Sequence, residues 1–215
     1  FRRVLFRSHA VTSLTTLAAL LLGWWIPQGV VLDDIQYAGK PLSDPDHDQT
    51  IMDVIYPLGT GPRWLGHLED RRPVVLLLRG GNQNKPVEAP ANLVSPDVLE
   101  LRARGYVVVD PNFRELDLGH EPYEWAMDDV ARCVQYLRAH SLALNLDPER
   151  VILAGRSGGG YIALGVALTE DRRDPRAGDA VSAQSSRPYA VFARSTVTDP
   201  ACFSLASPSV QSYFP

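Results

Sequence analysis

Ser157 lies in a glycine-rich stretch, where its hydroxyl is well placed to act as a nucleophile. The stretch from Gly155 to Gly160 reads Gly-Arg-Ser-Gly-Gly-Gly, follows the aliphatic run Val-Ile-Leu-Ala, and precedes an apolar segment with helical character. A serine on a sharp turn between a buried strand and a helix is exposed above the sheet. There it faces backbone N–H groups that favour a developing negative charge. The pattern therefore indicates nucleophilic catalysis by Ser157.

Three other motifs share some of these letters. A P-loop requires a lysine before its Ser or Thr, and this stretch has none. A dinucleotide fingerprint requires glycine where Ser157 stands. The Gly-x-Ser-Gly-Gly of trypsin-like proteases belongs to an all-β fold, whereas this serine opens a helix after an aliphatic strand. A glycine-rich turn with an idle serine is the remaining alternative.

A second glycine pair, Gly80-Gly81, follows the continuous apolar run from Pro73 to Leu78, about 75 residues before the serine. Glycine lets backbone N–H groups approach a substrate oxygen, and each such donor is worth about 3 kcal/mol of transition-state stabilisation. The pair alone is a weak signal. Together with the serine turn it indicates an oxyanion hole.

The elements that must position these residues alternate between strands and helices. The alternating pattern of two early strands predicts that they pair antiparallel. The buried strands and helices that follow predict an α/β fold with a mostly parallel sheet and helices on both faces. The predicted strands are 33–39, 49–57, 73–78, 106–110, 151–155 and 189–193, and the predicted helices are 96–104, 123–140 and 158–168.

Composition excludes several classes of function. The 215 residues suit one domain or a piece of a larger one. A net charge of −4 without a long basic run argues against nucleic acid as a partner. Two cysteines, Cys133 and Cys202, cannot make a disulfide framework, and no cysteine–histidine cluster has zinc spacing. Cys133 falls in a predicted amphipathic helix, where we expect a buried free thiol.

An acidic loop between the two early strands carries Asp44, Asp46 and Asp48 in a D-x-D-x-D spacing. A calcium-binding EF-hand loop also needs Gly at its sixth position and Glu at its twelfth, where this chain has Gln49 and Ile55. We therefore expect a solvated turn and no metal site.

Further segments match a known family in order and interval. They are Arg79-Gly80-Gly81-Asn82, Asn112-Phe113-Arg114-Glu115 followed by His120-Glu121-Pro122, Asp128-Asp129-Val130, Asp147-Pro148-Glu149-Arg150-Val151, and Gly155 to Gly160. Over about residues 30–199 the chain resembles the esterase/lipase group of the α/β-hydrolase superfamily, near the hormone-sensitive-lipase-like and feruloyl-esterase-like carboxylesterases. The resemblance implies an α/β-hydrolase fold without a cofactor.

By position, Ser157 resembles the family's nucleophile, and the N–H groups of Gly80, Gly81 and Gly158 resemble its oxyanion hole. The chain departs from the family at two places. Arg79 replaces a histidine and Asn82 replaces a glycine.

These two residues, together with His120, which matches a structural loop histidine of the family, are expected at the rim of the substrate pocket. Arg79 either binds an acidic group of the substrate or pairs with a carboxylate, and the second interpretation is favoured.

The sequence offers no evident residue for the base and the acid of a catalytic triad. In the family the order is Ser, then Asp or Glu, then His, but no histidine follows Ser157. Asp199 matches the loop before the strand that bears the acid, so we do not assign it as catalytic. We expect that the chain is truncated, with residues 29–215 forming the N-terminal two-thirds of a hydrolase domain and the C-terminal strands missing.

The beginning of the chain is expected to lie outside that domain. Val4 to Ser8 is the translation of the end of a common sequencing adapter, so residues 1–8 are interpreted as an artefact. Residues 9–28 form an apolar lead segment, in which Ala10 to Ile26 carry no charge. A signal peptide or membrane anchor is favoured for it, and with it a secreted, periplasmic or membrane-anchored protein.

The sequence thus predicts a serine carboxylester hydrolase that acts through an acyl-enzyme on small or medium esters and is nearly inactive as this fragment. A serine peptidase of the prolyl-oligopeptidase type and a non-catalytic hydrolase-fold binding protein are the alternatives. The expected partner is a small-molecule ester, and the oligomeric state is left open.

Overall fold

The computed structural model describes residues 29–41, 43–45, 47–80, 95–114, 122–196 and 198. Its strands are β1 (Val31–Gln36), β2 (Ile51–Ile55), β3 (Arg72–Leu78), β4 (Val107–Pro111), β5 (Leu146–Arg156) and β6 (Ala190–Arg194). Its α-helices are α1 (Pro96–Ala103), α2 (Pro122–Ala139) and α3 (Gly158–Leu168).

The strands form one mixed sheet in the order β1-β2-β4-β3-β5-β6. β1 pairs antiparallel with β2, and β2 pairs antiparallel with β4. The remaining neighbours are parallel, so the carboxyl ends of β4, β3, β5 and β6 meet at one edge of the sheet. The predicted α/β class is confirmed, and so is the antiparallel pairing of the two early strands.

Helices cover both faces of the sheet, as predicted. The larger core joins β3 and β5 to α2 and α3, with Leu76, Leu153, Val130 and Ile162 all fully buried. On the opposite face, Val98 of α1 packs in a smaller cluster with residues of β2 and β4. Strands buried on both faces explain why β3 and β4 read as unbroken apolar runs.

One strand is longer than its sequence pattern predicts. β5 begins at Leu146 rather than Val151 because Leu146 pairs with Arg72 of β3 ahead of a register irregularity. The intervening Asp-Pro-Glu-Arg has the composition of a turn. These four residues have no partner on β3, and the N–H group of Glu149 donates to the Asp147 carboxylate at 2.9 Å, so they form an irregularity inside the strand.

Cys133 is a free and fully buried thiol, as predicted, and its Sγ lies 3.5 Å from the sulfur of Met52. In the acidic loop, Asp44 pairs with Lys40 at 3.5 Å and Asp48 contacts His47 at 2.9 Å. Asp46 lies outside the described residues. Both carboxylates therefore have partners within the chain itself.

Within the described part of the chain, none of the helices combines the length and apolar character that crossing a bilayer requires. The adapter-like residues 1–8 and the apolar segment 9–28 lie outside it.

Candidate active site

Ser157 occupies a strained turn between β5 and α3. Its backbone φ of 53° and ψ of −123° lie in a region that favours glycine, and a residue held there costs about 1–3 kcal/mol. Ser157 is the N-cap residue of α3, yet its side chain makes no capping hydrogen bond. The hydroxyl is thus not used to satisfy the helix end.

The glycines around Ser157 are required by space. A Cβ at Gly155 would lie 2.2 Å from the carbonyl oxygen of Gly159. A Cβ at Gly159 would lie 2.3 Å from the carbonyl oxygen of Leu78 and 2.4 Å from that of Arg79. Because these neighbours are backbone atoms, no side-chain rotation can relieve the overlap. The nucleophile elbow, residues 155–160, therefore needs glycine at 155 to turn this tightly and glycine at 159 to approach the end of β3.

Gly80, the first residue of the Gly80-Gly81 pair, lies close to Ser157. A Cβ at Gly80 would lie 2.9 Å from Cβ of Ser157 and 3.6 Å from its Oγ. Gly158 is the first residue of α3. The structure therefore brings Gly80 and Gly158 to Ser157 from two different elements. Gly81 and Asn82 lie outside the described residues.

The end of β6 supports the elbow, which sequence reasoning did not predict. The N–H group of Ser157 donates to the carbonyl oxygen of Arg194 at 3.1 Å. Thr196 Oγ1 donates to the carbonyl oxygen of Ser157 at 2.9 Å, and a Cβ at Gly160 would lie 2.8 Å from Cβ of Thr196. A hydroxyl residue just after a strand is too common a pattern to indicate this role.

Arg79 forms an ion pair with Asp110, which lies on the neighbouring strand β4. The Asp110 side chain is 8% exposed and that of Arg79 is 28% exposed. The backbone of Arg79 contacts the elbow through its carbonyl oxygen, while its side chain reaches the strand on the other side of β3. The ion pair thus links β4 to the residue that precedes Gly80.

A second charge pair fixes the chain after β4 to α2. Asp129 accepts from the N–H group of Arg114 at 2.8 Å and from two guanidinium nitrogens at 2.9 Å. The guanidinium also lies 5.4 Å from the ring centroid of Trp125. Burial raises the pKa of Asp129, against the opposing effect of the hydrogen bonds from Arg114. A buried carboxylate with bidentate arginine contact is a rigid junction.

The histidines that the structure describes contact groups other than Ser157. His47 contacts Asp48 at 2.9 Å, His67 lies 3.6 Å from Glu69, and His140 contacts the carbonyl oxygen of Tyr136 at 2.9 Å. His120 and Asp199 lie outside the described residues. The structure thus places Ser157, the predicted nucleophile, beside Gly80, which is predicted to supply an oxyanion-hole donor.

Three carboxylates gather on the antiparallel side of the sheet. Oxygens of Asp33, Asp34 and Asp53 lie within 4.8 Å of one another, and the N–H group of Asp34 donates to Asp53 at 3.1 Å. Such oxygen ligands suit a hard divalent cation. The sequence did not indicate this cluster because its members come from two strands that meet only in the sheet.

The sheet, the strand–serine–helix elbow and the adjoining glycine loop define an α/β-hydrolase. The chain belongs to the BD-FAE family, whose model matches residues 66–204. This family of feruloyl- and acetyl-esterase-like hydrolases confirms the superfamily expected from the sequence motifs. No match was found among curated protein sequences.

Solved esterase structures share the fold over part of their length. An acetyl ester-xyloside bifunctional hydrolase from Caldicellulosiruptor lactoaceticus aligns with a TM-score of 0.60 at 24% identity, over 83% of this chain and 61% of that chain. Esterase 2 from Thermogutta terrifontis aligns in its apo form with a TM-score of 0.56 at 18% identity, over 88% and 63%. The same esterase with butyrate bound aligns with a TM-score of 0.56 at 21% identity, over 80% and 54%. The chain thus spans less than two thirds of the length of these proteins.

Proposed function

We propose that the protein is a serine carboxylester hydrolase that acts on small or medium esters through an acyl-enzyme. The observation that carries the proposal is the backbone of Ser157, held at φ 53° beside Gly80. Strain of this kind persists where the surrounding structure enforces it, and such sites cluster at catalytic centres. Membership of the BD-FAE family supports the same chemistry.

In the proposed reaction, Oγ of Ser157 attacks the ester carbonyl carbon while a base accepts its proton. The tetrahedral oxyanion accepts hydrogen bonds from the N–H groups of Gly80, Gly81 and Gly158. Collapse of the intermediate expels the alcohol, which takes the proton from the base and leaves the acyl group on Ser157. Water then attacks the acyl-enzyme and releases the acid.

Two observations on similar proteins support small acyl groups. The Caldicellulosiruptor protein is described as an acetyl ester-xyloside hydrolase, and the Thermogutta esterase has structures with butyrate and with propionate bound. On this basis we propose that the present protein also acts on esters of short acyl groups.

The test begins with the full reading frame that contains this chain, sequenced beyond the Pro215 codon and upstream of the adapter-like codons. We expect the encoded protein to hydrolyse 4-nitrophenyl acetate and butyrate and to be labelled by a fluorophosphonate. Replacing Ser157 with Ala should lower turnover by a factor on the order of 10⁶. The 215-residue chain alone should stay near the background rate, since no histidine follows Ser157.

Other outcomes separate the alternatives. Labelling of Ser157 with cleavage of peptide substrates but not esters would indicate a peptidase. A protein with neither labelling nor turnover would be a non-catalytic member of the fold. Labelling that persists in Ser157→Ala would place the nucleophile elsewhere.

A further inference from the structure

Two exposed arginines flank the nucleophile. Arg156 immediately precedes Ser157 at the end of β5, and Arg194 is its partner in the parallel register at the end of β6. The carbonyl oxygen of Arg194 accepts the hydrogen bond from the N–H group of Ser157. Both side chains are exposed. Residues paired in register on neighbouring strands stand about 4.8 Å apart on one face of the sheet.

The positive charge of these two arginines is not neutralised within the described part of the chain, where neither guanidinium has a hydrogen-bond or ion-pair partner. Like charges directly opposite each other on adjacent strands repel. The first turn of α3, which begins at Gly158, carries no acidic residue, and a helix N-terminus adds positive potential. The surroundings of Ser157 therefore favour an anion.

The neighbouring arginine does not share this role. Arg79 is engaged by Asp110 on β4, so the cation at the end of β3 already has its counter-charge. Among the described residues at this edge of the sheet, the charge is thus balanced at β4 and β3 and left positive at the ends of β5 and β6, which adjoin Ser157.

We propose that Arg156 and Arg194 form an anion-binding subsite that selects esters carrying a carboxylate, such as monoesters of dicarboxylic acids. The proposal rests on the hydrolase function proposed above. Guanidinium groups bind carboxylates through paired, charge-assisted hydrogen bonds. A carboxylate held beside the elbow would orient the ester carbonyl relative to Ser157 and lower KM for anionic esters.

The first experiment measures binding and needs no catalysis. Glutarate is titrated calorimetrically into the 215-residue chain at low ionic strength. We expect binding that weakens at least about tenfold in Arg156→Gln and in Arg194→Gln, as the loss of a charge-assisted hydrogen bond implies. Arg150→Gln is the control, since Arg150 is also exposed but pairs with Asp147 at 2.5 Å near the start of β5.

Two outcomes overturn the subsite. Glutarate binding that is unchanged in the Arg156→Gln/Arg194→Gln double variant would place the anion elsewhere. Binding that appears only after Asp199→Asn would show that a carboxylate of the chain itself occupies the two arginines. Because this arm does not depend on turnover, it decides the subsite even if the hydrolase proposal fails.

The second experiment measures specificity in the protein from the full reading frame. The ratio of kcat/KM for 4-nitrophenyl hydrogen glutarate to that for its neutral methyl ester should fall about tenfold or more in each variant, mainly through KM. Arg194→Lys should restore part of the ratio. An equal loss on both esters would show damage to the elbow and contradict a role in specificity.

Discussion

At the scale of single residues, the nucleophile elbow leaves no room for side chains at its glycines. A Cβ added at Gly155 or Gly159 would lie closer to backbone atoms than real Cβ contacts allow, and one added at Gly80 would lie 2.8 Å from the carbonyl oxygen of Arg156. Among these glycines, Ser157 carries a side chain at a φ of 53°, which favours glycine. A strained serine among obligatory glycines is the arrangement expected where a hydroxyl must be exposed next to backbone donors.

Replacing Gly159 with Ala should destabilise the protein, because the new methyl group would overlap two backbone carbonyl oxygens. Overpacking of this kind costs about 1–3 kcal/mol, and we expect a corresponding fall in the urea midpoint. Gly165→Ala in the same helix is the matched control. Its Cβ would meet the flexible end of Met127 at 2.1 Å, which can move aside. Equal stability of the two variants would contradict the tight contact between α3 and β3.

At the scale of elements, charged pairs connect strands and helices at the edge that bears the serine. Arg79–Asp110 connects β3 to β4, and Arg114–Asp129 connects the chain after β4 to α2. In each pair the carboxylate is almost fully buried and the arginine is about a quarter exposed. Removing one side chain of such a pair leaves the other charge buried and unpaired, which destabilises the protein.

Arg79→Ala should lower the free energy of unfolding by about 1–3 kcal/mol, less than for a fully buried pair because Arg79 is partly exposed. In a double-mutant cycle with Asp110→Ala, the double variant should lose less free energy of unfolding than the two single variants lose together. The control is Arg104→Ala, whose pair with Glu100 is 68% and 61% exposed and should contribute within about 0.5 kcal/mol. Similar losses for Arg79 and Arg104 would argue against a structural role of the inner pair.

The loop between α3 and β6 should be sensitive to acid through Asp171. Its partial burial opposes ionisation, but hydrogen bonds from Ser185, Ser186 and Arg173 outweigh that effect and hold the pKa of Asp171 below its usual value of 3.8. A depressed folded pKa stabilises the protein above the unfolded pKa, and this contribution is lost as the pH falls through the folded value.

Urea unfolding at neutral pH and below pH ~3 should therefore show a smaller acid loss in Asp171→Asn than in the wild type. Asp174→Asn is the control, since Asp174 accepts one backbone hydrogen bond from Arg176 in the same loop. If both variants lose stability on acidification as the wild type does, Asp171 is not the group responsible.

At the scale of the whole molecule, Cys133 reports on the integrity of the core. It lies fully buried between α2 and β2, and burial raises the pKa of its thiol. In a Cys202→Ser background, we expect no reaction with a thiol reagent in the native state and full reaction in denaturant. The rate should follow global unfolding as the urea concentration rises. Rapid labelling without denaturant would show that α2 opens independently of the sheet.

The sequence alone determined the α/β class, the antiparallel pairing of the first two strands, the burial of Cys133 and the family. It could do so because apolar periodicity and short motifs are local properties of the chain. It placed a serine turn and a glycine pair, each after a buried strand. The early start of β5 was missed because Asp-Pro-Glu-Arg has turn composition, and only the pairing of Leu146 with Arg72 of β3 extends the strand beyond it.

Only the tertiary structure decided what surrounds the serine. The contact of Gly80 with Ser157, the support from Thr196, the pairing of Arg79 with Asp110 and the juxtaposition of Arg156 with Arg194 each join distant segments of the chain. Strand order and register set these contacts, and both follow from packing of the whole sheet. A local pattern can therefore predict a nucleophile, whereas the charges around it depend on which strands become neighbours.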